Sequence, residues 1–255
     1  LLSVVTICRN DADGLRRTLS SLAGQDVCHE RWESVVVDGA SDDGSAEVAR
    51  SFANLLPLRL VSEPDEGIYD AMNKGFRLAT ASWVQFLNAG DTYAAPESLR
   101  MLCDAAEATH RRWLVARTAF LAPDGSVSAV STNVPHRRWR HALGLSMHAH
   151  PSTLMRRDLL AELGGFETAE FGSAADFDLV LRAGRLAGRP ESLDAVVVRF
   201  EPAGTSGDNA YDVPRLLQRI RRARLRLGPI GRAAEGAYSA VFARRWEADL
   251  RRSRR

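Results

Sequence analysis

Short apolar runs alternate with helix-period apolar positions along most of the chain. Leu2 to Cys8 is a strand-length run that breaks at Arg9-Asn10-Asp11. Leu15, Leu19 and Leu22 then recur at helical spacing, and Gly24 can close that helix. Trp32 to Val37 and Leu58 to Ser62 repeat the strand pattern, with Val48 and Phe52 marking a helix between them. Between Ser62 and Asp91, Tyr69, Met72, Phe76 and Ala79 make one apolar helical face, and Asp70, Asn73, Lys74 and Arg77 line the other side. Trp83 to Leu87 is a buried strand that delivers Asn88-Ala89-Gly90-Asp91 to its carboxyl end, where open α/β sheets bind ligands. This order predicts a mostly parallel central sheet with helices on both faces.

The pattern changes beyond Asp91. Pro96 suits a first helical position, followed by Leu99, Leu102 and Cys103. Trp113 to Phe120 and Val127 to Ser131 read as a hairpin about Pro123-Asp124-Gly125. Residues 132–150 are irregular. A short strand (Ser152 to Met155), a short helix (Asp158 to Leu163) closed by Gly164-Gly165, a helix opened by Asp176 and a last strand (Leu193 to Phe200) follow. Residues 201–210 are a Gly- and Ser-rich loop. From Val213 arginines crowd the sequence. The organisation expected is a domain over 1–210, split into 1–93 and 94–210, with an Arg-rich helical extension over 211–255.

Composition narrows the function classes. The formal charge of +2 gives no global field for nucleic acid, and the basic segments lack interleaved aromatics. No apolar run is long enough to span a bilayer, no signal peptide is evident, and three cysteines without metal-ligand spacing suit a reducing compartment, so a cytoplasmic location is expected. Lys74 is the only lysine among the cations, which hints at a need for a compact ammonium there. The first turn, ICRNDADG, has no GxGxxG, which excludes a dinucleotide-binding unit.

The segments SVVTICRND, VVVDGASDDGS, SEPDEGIYDAMNKG, VQFLNAGD, HPSTLMRRDLLAELGGF and AADFDLVLR resemble, in order, the core of family 2 glycosyltransferases of the GT-A fold, close to the colanic-acid and exopolysaccharide type. The resemblance covers residues 3 to about 185. It implies an inverting transfer of a sugar from a nucleotide-sugar donor to a saccharide or lipid-linked hydroxyl acceptor, in bacterial cell-surface polysaccharide or glycolipid assembly. A divalent cation, Mn2+ or Mg2+, is implied on the leaving diphosphate, because hard oxygen ligands suit either ion.

Carried onto this sequence, the resemblance makes Asp91 the metal ligand, as the last carboxylate of a DXD-type turn. Asn88 and Gly90 stand where acidic residues are common, so the turn has fewer charges to hold a cation. Asp38 matches an aspartate beside the nucleotide base, with Gly39 in place of a frequent second aspartate. Thr6, Arg9 and Asn10 would wall the same pocket, and Glu63, Asp65, Asp70 and Lys74 would lie beside ribose and phosphates. His150 matches a histidine near metal, diphosphate or acceptor. Asp176 matches the catalytic base, with Ala175 where glutamate is frequent.

Each residue also has a plainer role open to it. Asp91 can cap the next helix, Asp176 and Asp178 can cap or charge theirs, and Lys74–Asp70 can be an intrahelical ion pair. At a helix N-terminus Asp176 is expected to keep a low pKa. The arginine-rich segment can lie on an anionic membrane, at its inner face, or be a solvated helix. An inactive nucleotide-sugar-binding scaffold and a nucleotidyltransferase remain the alternative function classes.

Overall fold

A computed structural model describes residues 2–131, 134–146, 148–201, 213–225 and 227–253. The glycine- and serine-rich loop after Glu201 and the arginines Arg226, Arg254 and Arg255 lie outside these described residues.

The first half runs β1 (Leu2–Cys8), α1 (Ala12–Ala23), β2 (Trp32–Asp38), α2 (Ser45–Ser51), β3 (Leu58–Ser62), α3 (Ile68–Leu78) and β4 (Trp83–Phe86). The second continues with β5 (Thr92–Tyr93), α4 (Ser98–Ala108), β6 (Trp113–Leu121), β7 (Val127–Val130), α5 (Arg138–Ala142), β8 (Thr153–Arg156), α6 (Arg157–Leu163), α7 (Thr168–Phe171), α8 (Ala175–Leu186) and β9 (Glu191–Phe200). Helices α9 (Val213–Arg224) and α10 (Pro229–Ser253) follow.

One sheet has the order β3-β2-β1-β4-β8-β6-β9-β5, with β7 paired to β6. The four leading strands are mutually parallel. Strand β8 then runs antiparallel to both β4 and β6, so the sheet is mixed in its second half. Parallel strands buried on both faces need continuous apolar runs, and β1 is buried along its whole length. Val4 and its neighbours pack on the α1/α4 side, whereas Val5 and Val37 pack under α3 and α8.

Two local details explain the site's framework. The Asp11 carboxylate accepts the Gly14 backbone N–H (2.9 Å), capping α1 as its sequence position suggested. Helix α3 lies so close on the sheet that a Cβ at Gly75 would overlap Val5 Cγ1, which explains the glycine within NKG.

The C-terminal arginines divide between inside and outside. Leu217 and Ile220 of α9 share an apolar cluster with Phe171, Phe177 and Leu181. Arg221 is 1 % exposed and binds Glu235 (3.1 Å) and Ser239 (2.7 Å) of α10. Arg224 donates to the buried Asp178 (2.7 Å), which also pairs with Arg182 (2.6 Å). Arg219, Arg244 and Arg245 are exposed. No helix among the described residues is long and apolar enough to cross a membrane.

Candidate functional site

The carboxyl ends of β1 and β4 open onto a cleft of about 520 Å³. Arg9, Asn10, Arg17, Asp65, the Asn88–Asp91 turn, His150 and Glu201 line it. In parallel α/β sheets this rim gathers ligand-binding groups because strand ends and helix starts converge there.

Asp91 is 2 % exposed. Its Oδ1 accepts the Glu201 backbone N–H at 3.4 Å, and its Oδ2 is buried with no hydrogen-bond partner. Burial pushes its pKa well above the ordinary carboxylate range. Asn88 Oδ1 and His150 Nε2, lining the same cleft, are also buried without partners. Thr18 Oγ1 meets the Asp91 carbonyl (2.7 Å) and the Asn88 carbonyl (3.2 Å), which ties the turn to α1. Gly90 has φ +95°, a conformation that favours glycine, so this position trades a carboxylate for the bend.

Unpartnered buried oxygens on Asp91 and Asn88 fit a hard divalent cation, which would take the place of the water they have lost. Among the described residues, no group of three or more His, Cys, Asp or Glu side chains can chelate a metal by itself. The set therefore suits an ion whose remaining ligands come from water and phosphate oxygens.

Asp38, by contrast, is satisfied by its own turn and by the neighbouring strand β3. It is 0 % exposed and accepts from Ser41 N (3.2 Å), Ser41 Oγ (2.5 Å) and Ser62 Oγ (2.6 Å). It does not line the cleft; Asp65 does, with Arg9 at 3.9 Å. A Cβ at Gly39 would overlap Asp65 Oδ2, so the glycine that replaces a second acidic residue makes room for Asp65. Thr6 is fully buried in β1, with an unpartnered Oγ1, and Asn10 accepts the Asp42 N–H (3.1 Å) at the cleft edge.

Lys74 donates to the Pro64 carbonyl (2.6 Å), Glu63 (3.2 Å) and Asp70 (3.3 Å). Three acceptors around one tetrahedral ammonium account for a lysine in a chain otherwise built with arginine. None of Glu63, Asp70 and Lys74 lines the cleft; together they clasp the acidic turn that positions Asp65.

Asp176 is the second residue of α8 and is partly buried. It lines a small, mostly apolar pocket with Phe86, Phe166, His148 and His150. His150 thus faces both pockets, connecting Asp176 with the Asp91 turn. Burial raises the Asp176 pKa to about 6, against the Phe177 N–H (2.7 Å) and the Tyr69 hydroxyl, which favour the ionised form. The low pKa expected from the helix dipole is therefore overturned: desolvation outweighs the first-turn field. Burial alone takes His150 down to about 4, so it is neutral at pH 7.

Sequence reading missed several contributors. Tyr69, read as part of an apolar face, stacks on Phe166 (5.1 Å), donates its hydroxyl to the Ser173 carbonyl (3.2 Å) and lies close enough to Asp176 to influence its ionisation. Asn73, one turn on, holds Phe166 by both backbone groups, each at 2.9 Å. Its i+4 spacing from Tyr69 was the available signal. Ser62, Arg17 and Glu201 carried none. Residues 132–150 include α5, whose His141 sets its two ring nitrogens near the Ser146 (3.1 Å) and Phe177 (3.0 Å) carbonyls.

Comparison with known proteins agrees with this geometry. Residues 3–164 match the family model described as glycosyl transferase family 2. An uncharacterized glycosyltransferase of Mycobacterium tuberculosis is 31 % identical over 207 residues, covering 80 % of this chain and 76 % of that protein. A PGL/p-HBAD biosynthesis glycosyltransferase of Mycobacterium bovis is 31 % identical over 190 residues, covering 71 % and 69 %. In fold, the chain is similar to S. aureus TarS in complex with UDP (TM-score 0.68, 21 % identity, 94 % of this chain and 70 % of that one). It is also similar to the mannosyltransferase PcManGT from Pyrobaculum calidifontis in complex with GDP-Man and Mn2+ (TM-score 0.68, 22 % identity, 97 % and 73 %). The sheet is that of the GT-A fold, and the chain belongs to glycosyl transferase family 2, as a glycosyltransferase.

Proposed function

We propose that this glycosyltransferase moves a sugar, with inversion, from a nucleotide diphosphate sugar to a hydroxyl on a saccharide or lipid-linked acceptor. The observation that carries this reading is the pair of buried, unpartnered oxygens on Asp91 and Asn88, joined through His150 to the pocket of Asp176. Asp91 and Asn88 would hold Mn2+ or Mg2+, which when bound neutralises charge on the departing diphosphate. Arg9 and Asp65 form the polar wall beside the nucleoside, and Asn10 its edge. Asp38, Glu63, Asp70 and Lys74 shape these walls from behind.

Asp176 is the general base. Ionised above about pH 6, it accepts the acceptor's proton as the oxygen attacks the anomeric carbon. A single displacement by that oxygen inverts the centre, and no second carboxylate is assigned as a nucleophile. The M. bovis relative named for PGL/p-HBAD biosynthesis supports a role in surface glycolipid or polysaccharide assembly. The exposed Arg219, Arg244 and Arg245 offer charge for an anionic membrane surface. Thermal-shift screening with UDP-, GDP- and dTDP-sugars, with and without Mn2+, tests the reading. Stabilisation by one donor is expected, together with donor hydrolysis that is lost in Asp91→Ala and Asp176→Ala. No shift with any donor would sink it.

A further inference from the structure

The Asn88–Asp91 turn supplies one carboxylate where related enzymes commonly have more, and the fold brings another to it from far along the chain. Strand β9 pairs with β5 through Arg199 and Thr92, which sets the end of β9 beside the residue after Asp91. Glu201 follows at that end. Its N–H reaches Asp91 Oδ1 (3.4 Å), and its Oε2 lies 3.6 Å from where a Cβ at Gly90 would sit. Its carboxylate therefore occupies space above a position that has no side chain. Asp91 Oδ2 remains buried and unpartnered beside it, and both residues line the cleft.

Arg17 of α1 completes the arrangement, with its guanidinium 2.7 Å from Glu201 Oε2 and lining the same cleft. The two side chains are 50 % and 35 % exposed, so water competes for the pair and a stronger partner can exchange it. A nucleoside diphosphate would be such a partner for Arg17, and a divalent cation for Glu201.

We propose that Glu201 is the second carboxylate of the cation site, replacing in space the acidic residues absent at Asn88 and Gly90. Arg17 holds Glu201 in the free protein and passes to the donor's diphosphate when donor and cation enter. This rests on the metal-assisted reading above and extends it to two residues outside the turn.

Mn2+ binding to the full chain, followed by the electron paramagnetic resonance of free Mn2+ with and without UDP or GDP, tests the assignment. Glu201→Gln should weaken Mn2+ binding at least tenfold, while Glu201→Asp, which keeps the charge, stays closer to the parent. Arg17→Gln should weaken nucleoside diphosphate binding without weakening Mn2+ uptake in its absence. If Glu201→Gln binds Mn2+ like the parent while Asp91→Asn does not, Glu201 is only the surface partner of Arg17 and the proposal falls, leaving the Asp91 site intact. If the parent takes up no Mn2+ with either diphosphate, both readings fall together.

Discussion

Asp38 and Asp91 sit on the same rim of the sheet, each almost without solvent exposure, yet their surroundings differ completely. Around Asp38, Ser41 and Ser62 leave the carboxylate satisfied by its own protein. Asp91 keeps one oxygen dry and unclaimed. A buried carboxylate with its own donors braces a turn; one without them is stable only as an acid or with a ligand. Burial alone did not separate the two, since both look alike by exposure. What separates them is the presence of a hydroxyl on the neighbouring strand.

The largest effects should fall on the unclaimed side of this contrast. Asp91→Asn and Asp176→Asn should each reduce sugar transfer by ~10²–10⁴-fold, measured as donor turnover by the folded protein. For Asp176 the sign can be followed with pH. Its folded-state pKa of about 6 lies above the ordinary 3.8, so ionising it costs stability, an effect that develops between those values and is full above pH 6. Asp176→Asn should therefore melt higher than the parent at pH 8 and match it below pH 4. In the parent, kcat/KM should fall tenfold per pH unit below about 6 and level off above, because the base must be ionised.

On the satisfied side, Asp38→Asn should cost about 1–3 kcal/mol in denaturant midpoint analysis, through donors left facing an amide. Folded enzyme should keep most of its turnover; a loss as deep as that of Asp91→Asn would erase the distinction. Tyr69→Phe removes the neighbouring hydroxyl that favours ionised Asp176, so the acid limb of the pH profile should move upward by a fraction of a pH unit. The smallest change is expected for Lys74→Arg, a loss of about 1 kcal/mol or less by thermal melting, since a planar fork serves three converging oxygens poorly.

Much of this architecture was readable from local pattern. The apolar runs of β1, β2, β3, β4 and β9 announced themselves, and Asp11, Gly24 and Gly164 marked helix ends as expected. Strand β5, two residues long, and α5, with one buried side chain, had no periodicity to detect. In the site, strand ends located Asp38 and Asp91, and a helix start located Asp176. Their environments were not legible, because each is set by residues remote in sequence: Ser62 for Asp38, Glu201 for Asp91, Tyr69 for Asp176. Desolvation at α8 likewise depends on Phe86 and Phe166, which only folding brings to Asp176.

The clasp on Lys74 has a practical corollary. As it holds the chain's single ε-amine, an endoproteinase that cuts after lysine has one target here, and that bond lies within α3. Cleavage there would require the helix to open, so the rate of a single scission times the breathing of the wall behind the cleft.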